Sequence, residues 1–373
     1  MSLHYLLDAI VALICTIAGF LLIRWARPMP SARTVRALLA TATVMVWVQL
    51  ALSTARVANQ FDHYFVQWLR CLGLTCGGLL LYSAAIVPLL RSARAFDPGR
   101  RKVLQVGVTA AAAVPALVGS FAFIRRKDLR LREVSVRVPG LPKDLDGLRI
   151  VQVTDIHLGP FLDEATLNHA VGMANETKPH IALVTGDLIS TKGDPLDKCI
   201  ERLGALRSEA GLWGCLGNHE RYALAEDYTE QESRRVGLRF LRHESATLHF
   251  GSATLNLAGV DYQRKGTPYL LGAESLIVPG AYNILLSHSP DVFDVAARQG
   301  FDLTIAGHTH GGQVTFEMVH PSLNIARFYT PWVHGLYERS GKNIYVSRGI
   351  GTIGVPARLG ATPEVVLLRL CAI

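Results

Sequence analysis

Apolar residues fall into two different rhythms along the chain. Before residue 125 they form four long runs, at about 5–23, 37–53, 71–90 and 103–124. Each is close to the ~20 residues that a helix needs to cross a hydrocarbon core. Arg-rich segments separate them, so they predict an all-α transmembrane region of about four helices over residues 1–132. From residue 133 the runs shorten to five to eight residues and alternate with polar segments of helical spacing. L-R-I-V-Q-V, I-A-L-V-T, L-W-G-C-L, T-L-N-L-A-G-V, Y-N-I-L-L-S, D-L-T-I-A, N-I-Y-V-S and V-V-L-L-R-L predict strands. Segments 163–177, 194–207, 226–236 and 290–299 predict helices, with Asp163 as an N-cap and Pro195 suited to a first turn. Strands alternating with helices imply a layered α/β domain over 133–373. The later strands follow one another with little helix between them, which predicts some antiparallel pairing.

Charge sharpens the division. The chain carries a net +8, which could suggest nucleic acid. The first 132 residues hold 16 Lys and Arg against 4 Asp and Glu, whereas the remainder holds 22 against 26. The basic excess therefore belongs to loops between apolar runs, and no basic and aromatic interleaving marks a nucleic-acid groove. Arg24, Arg27, Arg33 and Arg36 follow the first run, and Arg91, Arg94, Arg100, Arg101 and Lys102 follow the third. On the positive-inside rule they put these loops in the cytoplasm and the large C-terminal domain outside. The cluster Arg125, Arg126, Lys127, Arg130 and Arg132 pulls the other way, or lies against anionic headgroups. The start, M-S-L-H-Y-L-L-D, lacks the basic segment of a cleaved signal, so the first run is expected to stay as an anchor. Six cysteines without a C-x-x-C pair supply neither a disulfide framework nor a zinc knuckle.

The chemistry lies where strands end. L-R-I-V-Q-V runs into T-D-I-H-L-G, I-A-L-V-T into G-D, and L-W-G-C-L into G-N-H-E. Y-N-I-L-L-S runs into H-S-P, and D-L-T-I-A into G-H-T-H-G-G. Ligands of α/β sheets bind at that edge. If these segments stay extended, residues i and i+2 point the same way, so Asp155 and His157 face one point, as do His308 and His310. Gly186, Gly217 and Gly307 precede Asp187, Asn218 and His308 and permit sharp turns. Asp155, His157, Asp187, Asn218, His288, His308 and His310 offer hard oxygens and imidazoles without thiolate, a set suited to Mn, Fe or Zn. Seven ligands exceed one tetrahedral ion and fit two divalent ions sharing a carboxylate.

In this order the blocks D-x-H, G-D, G-N-H-E, H and G-H-T-H resemble the signature of the calcineurin-like metallophosphoesterases, over about residues 148–354. V-T-D-I-H-L-G-P, G-H-T-H-G-G-Q and V-S-R-G-I-G-T are similar to its membrane-anchored bacterial subgroup. The resemblance implies an α/β/β/α sandwich and a phosphodiester or phosphomonoester substrate, and the four expected anchors suggest one near the membrane surface, lipid- or envelope-linked. It implies that Asp155, His157 and His310 hold one ion, that Asn218, His288 and His308 hold the other, and that Asp187 bridges them. A hydroxide between the ions would attack phosphorus in line, and His219 would stand by the leaving group. The usual second block ends in Asp or Glu; here Ser190 takes that place, with Asp194 as a candidate substitute. Glu220 is expected to support the site rather than ligate. His334 and Arg348 are candidates for substrate contact, beside structural roles.

Three other functions compete. One is a pyrophosphatase acting on a nucleotide-linked lipid precursor, which requires a cytoplasmic site. Another is a non-catalytic, metal-dependent interaction platform, against which stands the complete ligand set. A transporter finds little support in spans with almost no buried polar residues. The native metal pair, the substrate and the oligomeric state are not encoded legibly.

Overall fold

The computed structural model describes residues 3–26, 32–52, 63–93, 98–317 and 319–373. Two compact units emerge: Met1–Phe121 with Gly354–Pro356, and Ala122–Ile353 with Ala357–Ile373.

The first unit is helical: α1 (Leu3–Ala26), α2 (Ala32–Leu52), α3 (His63–Ala93) and most of α4 (Pro98–Arg125). Among the described residues, three stretches are long and apolar enough to cross a membrane: Ala9–Ala26, Arg33–Leu52 and Tyr64–Ile86. The fourth expected run lies on α4, where several side chains fall outside the described ones; so do Arg27 and Arg94 of the charged loops. The third helix starts eight residues before the expected 71, because H-Y-F-V-Q-W-L-R contains no helix breaker, and Arg70 lies inside it. Ala12, Cys15, Leu22, Val46 and Leu80 form the buried seam between α1, α2 and α3. Ile10, Val11, Leu13, Ile14, Ile17, Phe20 and Leu21 of α1 face outward. A helix apolar on every side suits a hydrocarbon surrounding.

The second unit contains two six-stranded sheets. One is ordered β1 (Arg130–Val138), β12 (Glu364–Ala372), β2 (Arg149–Val153), β3 (Ile181–Val184), β4 (Leu212–Gly214), β5 (Leu238–Phe240). The other is ordered β10 (Gly335–Arg339), β11 (Lys342–Val346), β9 (Leu303–Ala306), β8 (Tyr282–Leu286), β7 (Ala253–Gly259), β6 (Glu244–Phe250). Strands β2 to β5 run parallel, as do β7, β8, β9 and β11. The expected antiparallel pairings are β12 with β2, β10 with β11 and β6 with β7.

Ile150, Leu183, Leu257, Ile284, Ile305 and Val366 fill the space between the sheets. On the outer face of the first sheet, Leu167, Ala170 and Ala174 of α5 (Glu164–Glu176) pack with Cys199 and Ile200 of α6 (Leu196–Leu203). Asp163 caps α5 by accepting from the Thr166 amide at 2.8 Å. The same layer holds the short α7 (Asn218–Tyr222) and α8 (Glu226–Arg235). Val292, just before α9 (Phe293–Gln299), and Ala296 within it cover the second sheet. Central strands are covered on both faces, which is why they read as unbroken Val, Ile and Leu. Each fully buried side chain of that kind contributes about 1.5–3 kcal/mol. The layers are thus α/β/β/α, and the C-terminal ends of β2, β3, β4, β8 and β9 lead to one place.

Candidate metal centre

Five strand ends supply the eight candidate residues. Asp155 and His157 follow β2, Asp187 follows β3, Asn218 and His219 open α7 after β4, His288 follows β8, and His308 and His310 follow β9. Three groups of donor atoms lie close enough together to hold a metal ion: Asp155, His157 and His310; His157, Asp187 and His219; Asp187, His288 and His308. The two histidines of G-H-T-H thus part company. The expectation that they share a direction assumed an extended segment, and the backbone is not extended there. Asp155, His157, Asp187, His308 and His310 all have positive φ, between 50° and 74°. Bulky residues pay about 1–3 kcal/mol for such a conformation, and it persists where function needs it.

Close approach also explains the glycines. Gly186 has φ +90°. Gly307 has no such need, but a Cβ there would lie 2.2 Å from an Asp155 carboxylate oxygen. With that space free, the His308 amide donates to Asp155 Oδ1 at 2.9 Å.

The ring nitrogens converge. His157 Nε2 is 3.1 Å from His310 Nε2 and 3.6 Å from Asp187 Oδ2. His288 Nε2 is 3.0 Å from Asp187 Oδ2 and 3.2 Å from His308 Nδ1. His219 Nε2 lies 4.0 Å from the same Asp187 oxygen. Partners behind the rings fix which nitrogen points inward. A carbonyl only accepts, so His288 Nδ1 donates to Thr185 O at 2.7 Å and His219 Nδ1 to Ser190 O at 2.6 Å. His157 Nδ1 meets Ser190 Oγ at 3.1 Å. Ser190, at the position where a carboxylate was expected, therefore orients two of the histidines. Asp194 acts at one remove: its Oδ2 accepts from the Ser190 and Thr191 amides at 2.9 and 2.8 Å.

Charge is unevenly spread over this buried cluster. Burial pushes His157 down to about 3 and His308 to about 4, and holds His310 well below its usual range. These rings are neutral, with lone pairs to give. Burial also opposes charge on His288, but the Asp187 and Asp155 carboxylates outweigh it and hold His288 up at about 10. Asp187 is held well below the carboxylate range by His288 and His219 despite its burial, while burial raises Asp155 to about 6. The residues suit a cation on a further count: Asn218 Oδ1 is buried without a hydrogen-bond partner. An unpaired buried acceptor costs about 1–3 kcal/mol, which a bound ion removes.

Glu220 lies behind the site, fully buried, and accepts from the amides of Gly217, Leu188 and Asp187 at 2.7, 2.7 and 3.0 Å. It thereby fixes the turns that carry Asp187 and Asn218. His334 and Arg348 belong to a hydrogen-bonded chain: Arg348 donates to Glu364 at 3.0 Å and to His334 Nδ1 at 3.2 Å, and His334 Nε2 in turn donates to Glu317 at 2.7 Å. Sequence reasoning missed the flanking aromatics. Tyr222 packs edge-on to His219 with centroids 5.5 Å apart, and Tyr262 lies 5.7 Å from His308. No local motif marks either tyrosine.

It also missed Arg358, which is fully buried. Its guanidinium donates to the carbonyls of Gly351 and His310 and, at 3.1 Å, to His310 Nδ1. Burial lowers it only to about 10, so it is charged at neutral pH. Such a partner fixes the ring while leaving Nε2 inward, and supports of this kind are worth about 10–100-fold in metal affinity. Arg358→Met is expected to weaken Mn²⁺ binding by roughly that factor, with Arg358→Lys recovering part of it, since Lys keeps the charge but not the planar fork. Calorimetric titration on folded variants measures this; unchanged affinity in Arg358→Met would remove Arg358 from the site.

A sandwich that gathers carboxylate and imidazole donors at its strand ends has the make-up of a transition-metal site. The calcineurin-like phosphoesterase family model matches residues 148–312. A metallophosphoesterase of Aquifex aeolicus is 31% identical over 264 residues, covering 69% of this chain and 97% of that protein. The chain belongs to this family. A Campylobacter jejuni metallophosphoesterase is 33% identical over 65% of this chain, and a Danio rerio transmembrane protein with metallophosphoesterase domain is 30% identical over 71%. The chain spans 64% and 62% of those two relatives.

Proposed function

We propose that this protein is a membrane-anchored phosphoesterase that works with two divalent ions, Mn, Fe or Zn. Asp155, His157 and His310 would hold one, Asn218, His288 and His308 the other, with Asp187 shared. Ions there would polarise a phosphoryl oxygen and activate water. The chain's own residues do the rest. Ser190, Thr185, Arg358 and Glu220 hold the donors in place, so little reorganisation is needed as charge develops. His219 presents Nε2 on the open side and can give a proton to a departing oxygen. The observation that carries the reading is the position of Asp187, whose one carboxylate belongs to two of the three donor groups.

Anchoring is supported by the three apolar helices and by the Danio rerio relative's designation as a transmembrane protein. The loop charges favour an extracytoplasmic catalytic unit in a bacterial cell membrane, and a substrate linked to lipid or envelope would suit such an enzyme. Full-length protein in detergent, stripped with chelator and reloaded with Mn²⁺, is expected to hydrolyse a chromogenic phosphodiester or phosphomonoester. Two equivalents of bound metal are expected with it. Metal binding without turnover on either ester would favour the interaction platform.

A further inference from the structure

Immediately beyond the G-H-T-H turn the chain makes an excursion unlike the rest of the unit. Between Val314 and Tyr329, seven apolar side chains face solvent: Val314, Phe316, Val319, Leu323, Ile325, Phe328 and Tyr329. Phe328 is 79% exposed, Val319 77%, Tyr329 68% and Ile325 64%. Single exposed apolar residues are ordinary, but a run of them marks an interaction surface. Ile325 and Phe328 sit on a 3₁₀ turn, Ile325–Phe328, where i and i+3 eclipse, so the two share a face.

The excursion is a built structure. The Phe316 amide and Thr315 Oγ1 both donate to Leu323 O, at 2.9 and 3.0 Å. Buried Asn324 accepts from the Ala326 amide at 3.0 Å and donates to Gly311 O at 3.1 Å, tying the excursion to the turn that carries His310. Its charges are arranged for entry into a weakly polar medium. Glu317 pairs with Arg327 at 2.6 Å and with His334 at 2.7 Å. Lys265, from an exposed stretch that includes Arg264, donates to Tyr329 O. Apolar tips on a turn pinned by its own hydrogen bonds, with basic neighbours, are what the headgroup boundary of a bilayer accepts.

We propose that residues 314–329 dock the catalytic unit onto a lipid bilayer, seating Ile325, Phe328 and Tyr329 at the boundary between headgroups and acyl chains, with Arg264 and Lys265 toward anionic headgroups. The inference rests on the membrane reading above, because a chain that spans a bilayer keeps this unit beside one. A lipid surface answers both halves of the patch, its apolar tips and its basic neighbours. The metal centre, starting at His310 of the same turn, would then stand next to phosphoesters held in that surface.

The test uses the full chain in vesicles of phosphatidylcholine and phosphatidylglycerol carrying a photoactivatable diazirine phospholipid, with adducts mapped by mass spectrometry. Adducts are expected on α1–α3 and on 314–329, and not on the exposed Leu224. In the double variant Ile325→Asp/Phe328→Asp, loop adducts should fall roughly tenfold while those on α1–α3 persist. Ile325→Ser/Phe328→Ser, with matched thermal stability, guards against misfolding. Adducts on the helices with none on 314–329 would overturn docking and leave anchoring intact. Equal labelling of Leu224 would overturn the specificity of the patch. No adducts on either region would overturn both readings.

Discussion

Asp187→Ala is expected to lower metal-dependent turnover by roughly 10³-fold or more and to reduce the bound-metal stoichiometry. The carboxylate is buried, and its Oδ2 lies 3.0 Å from His288, 3.6 Å from His157 and 4.0 Å from His219. Oδ1 accepts from the His219 amide at 2.9 Å. It is thus the negative charge around which four strand ends assemble. Without it, two donor groups lose their shared anion, and the neighbouring carboxylates are committed elsewhere: Glu220 to three amides and Asp155 to the His308 amide. Asp187→Asn separates charge from shape. It keeps the acceptor for the His219 amide and nearly the same volume, so it should fold like the parent and still bind metal poorly. Elemental analysis and thermal melts on both variants decide the matter. Full stoichiometry with turnover near the parent's in Asp187→Asn would refute a shared carboxylate.

Much of this centre could be read before the fold was known, for a simple reason. A strand buried on both faces must be an apolar run, so the polar residue that ends it stands out. I-A-L-V-T-G-D and D-L-T-I-A-G-H announce both strand and donor. Elements without such contrast were missed. Strand β5 has three residues, and β6 has exposed and half-buried positions but no buried one. β1 carries Arg130, Arg132, Glu133 and Arg137 and resembles a juxtamembrane linker. The local geometry of the donors was also hidden: Asp and His tolerate a left-handed φ better than most residues but do not require it, so nothing local marks Asp155, His157, Asp187, His308 and His310 as the positions where the fold imposes it. Arg358 is 48 positions from His310, and P-A-R-L carries no sign of where its guanidinium ends up. The excursion at 314–329 was opaque for the same reason: whether Phe328 is core or surface depends on what folds over it.

His219→Ala should separate chemistry from metal binding. The ring is anchored by the 2.6 Å bond from Nδ1 to Ser190 O, which leaves Nε2 on the side of the donor cluster. Like His308 and unlike His157, His288 and His310 it is partly open, its side chain 15% exposed, and it packs edge-on to His157 with centroids 4.7 Å apart. A ring held from behind and open in front can meet a departing ester oxygen. Its loss should cost about 10²–10⁴-fold in kcat while metal content stays that of the parent. The cost should shrink for an aryl ester, whose leaving oxygen needs no proton, and grow for an alkyl ester. His219 also lies in one of the three groups able to hold an ion, with His157 and Asp187. If His219→Ala loses metal and slows both esters equally, the ring is a ligand and proton donation falls to another group. If metal is retained and the penalty follows leaving-group basicity, Nε2 delivers the proton.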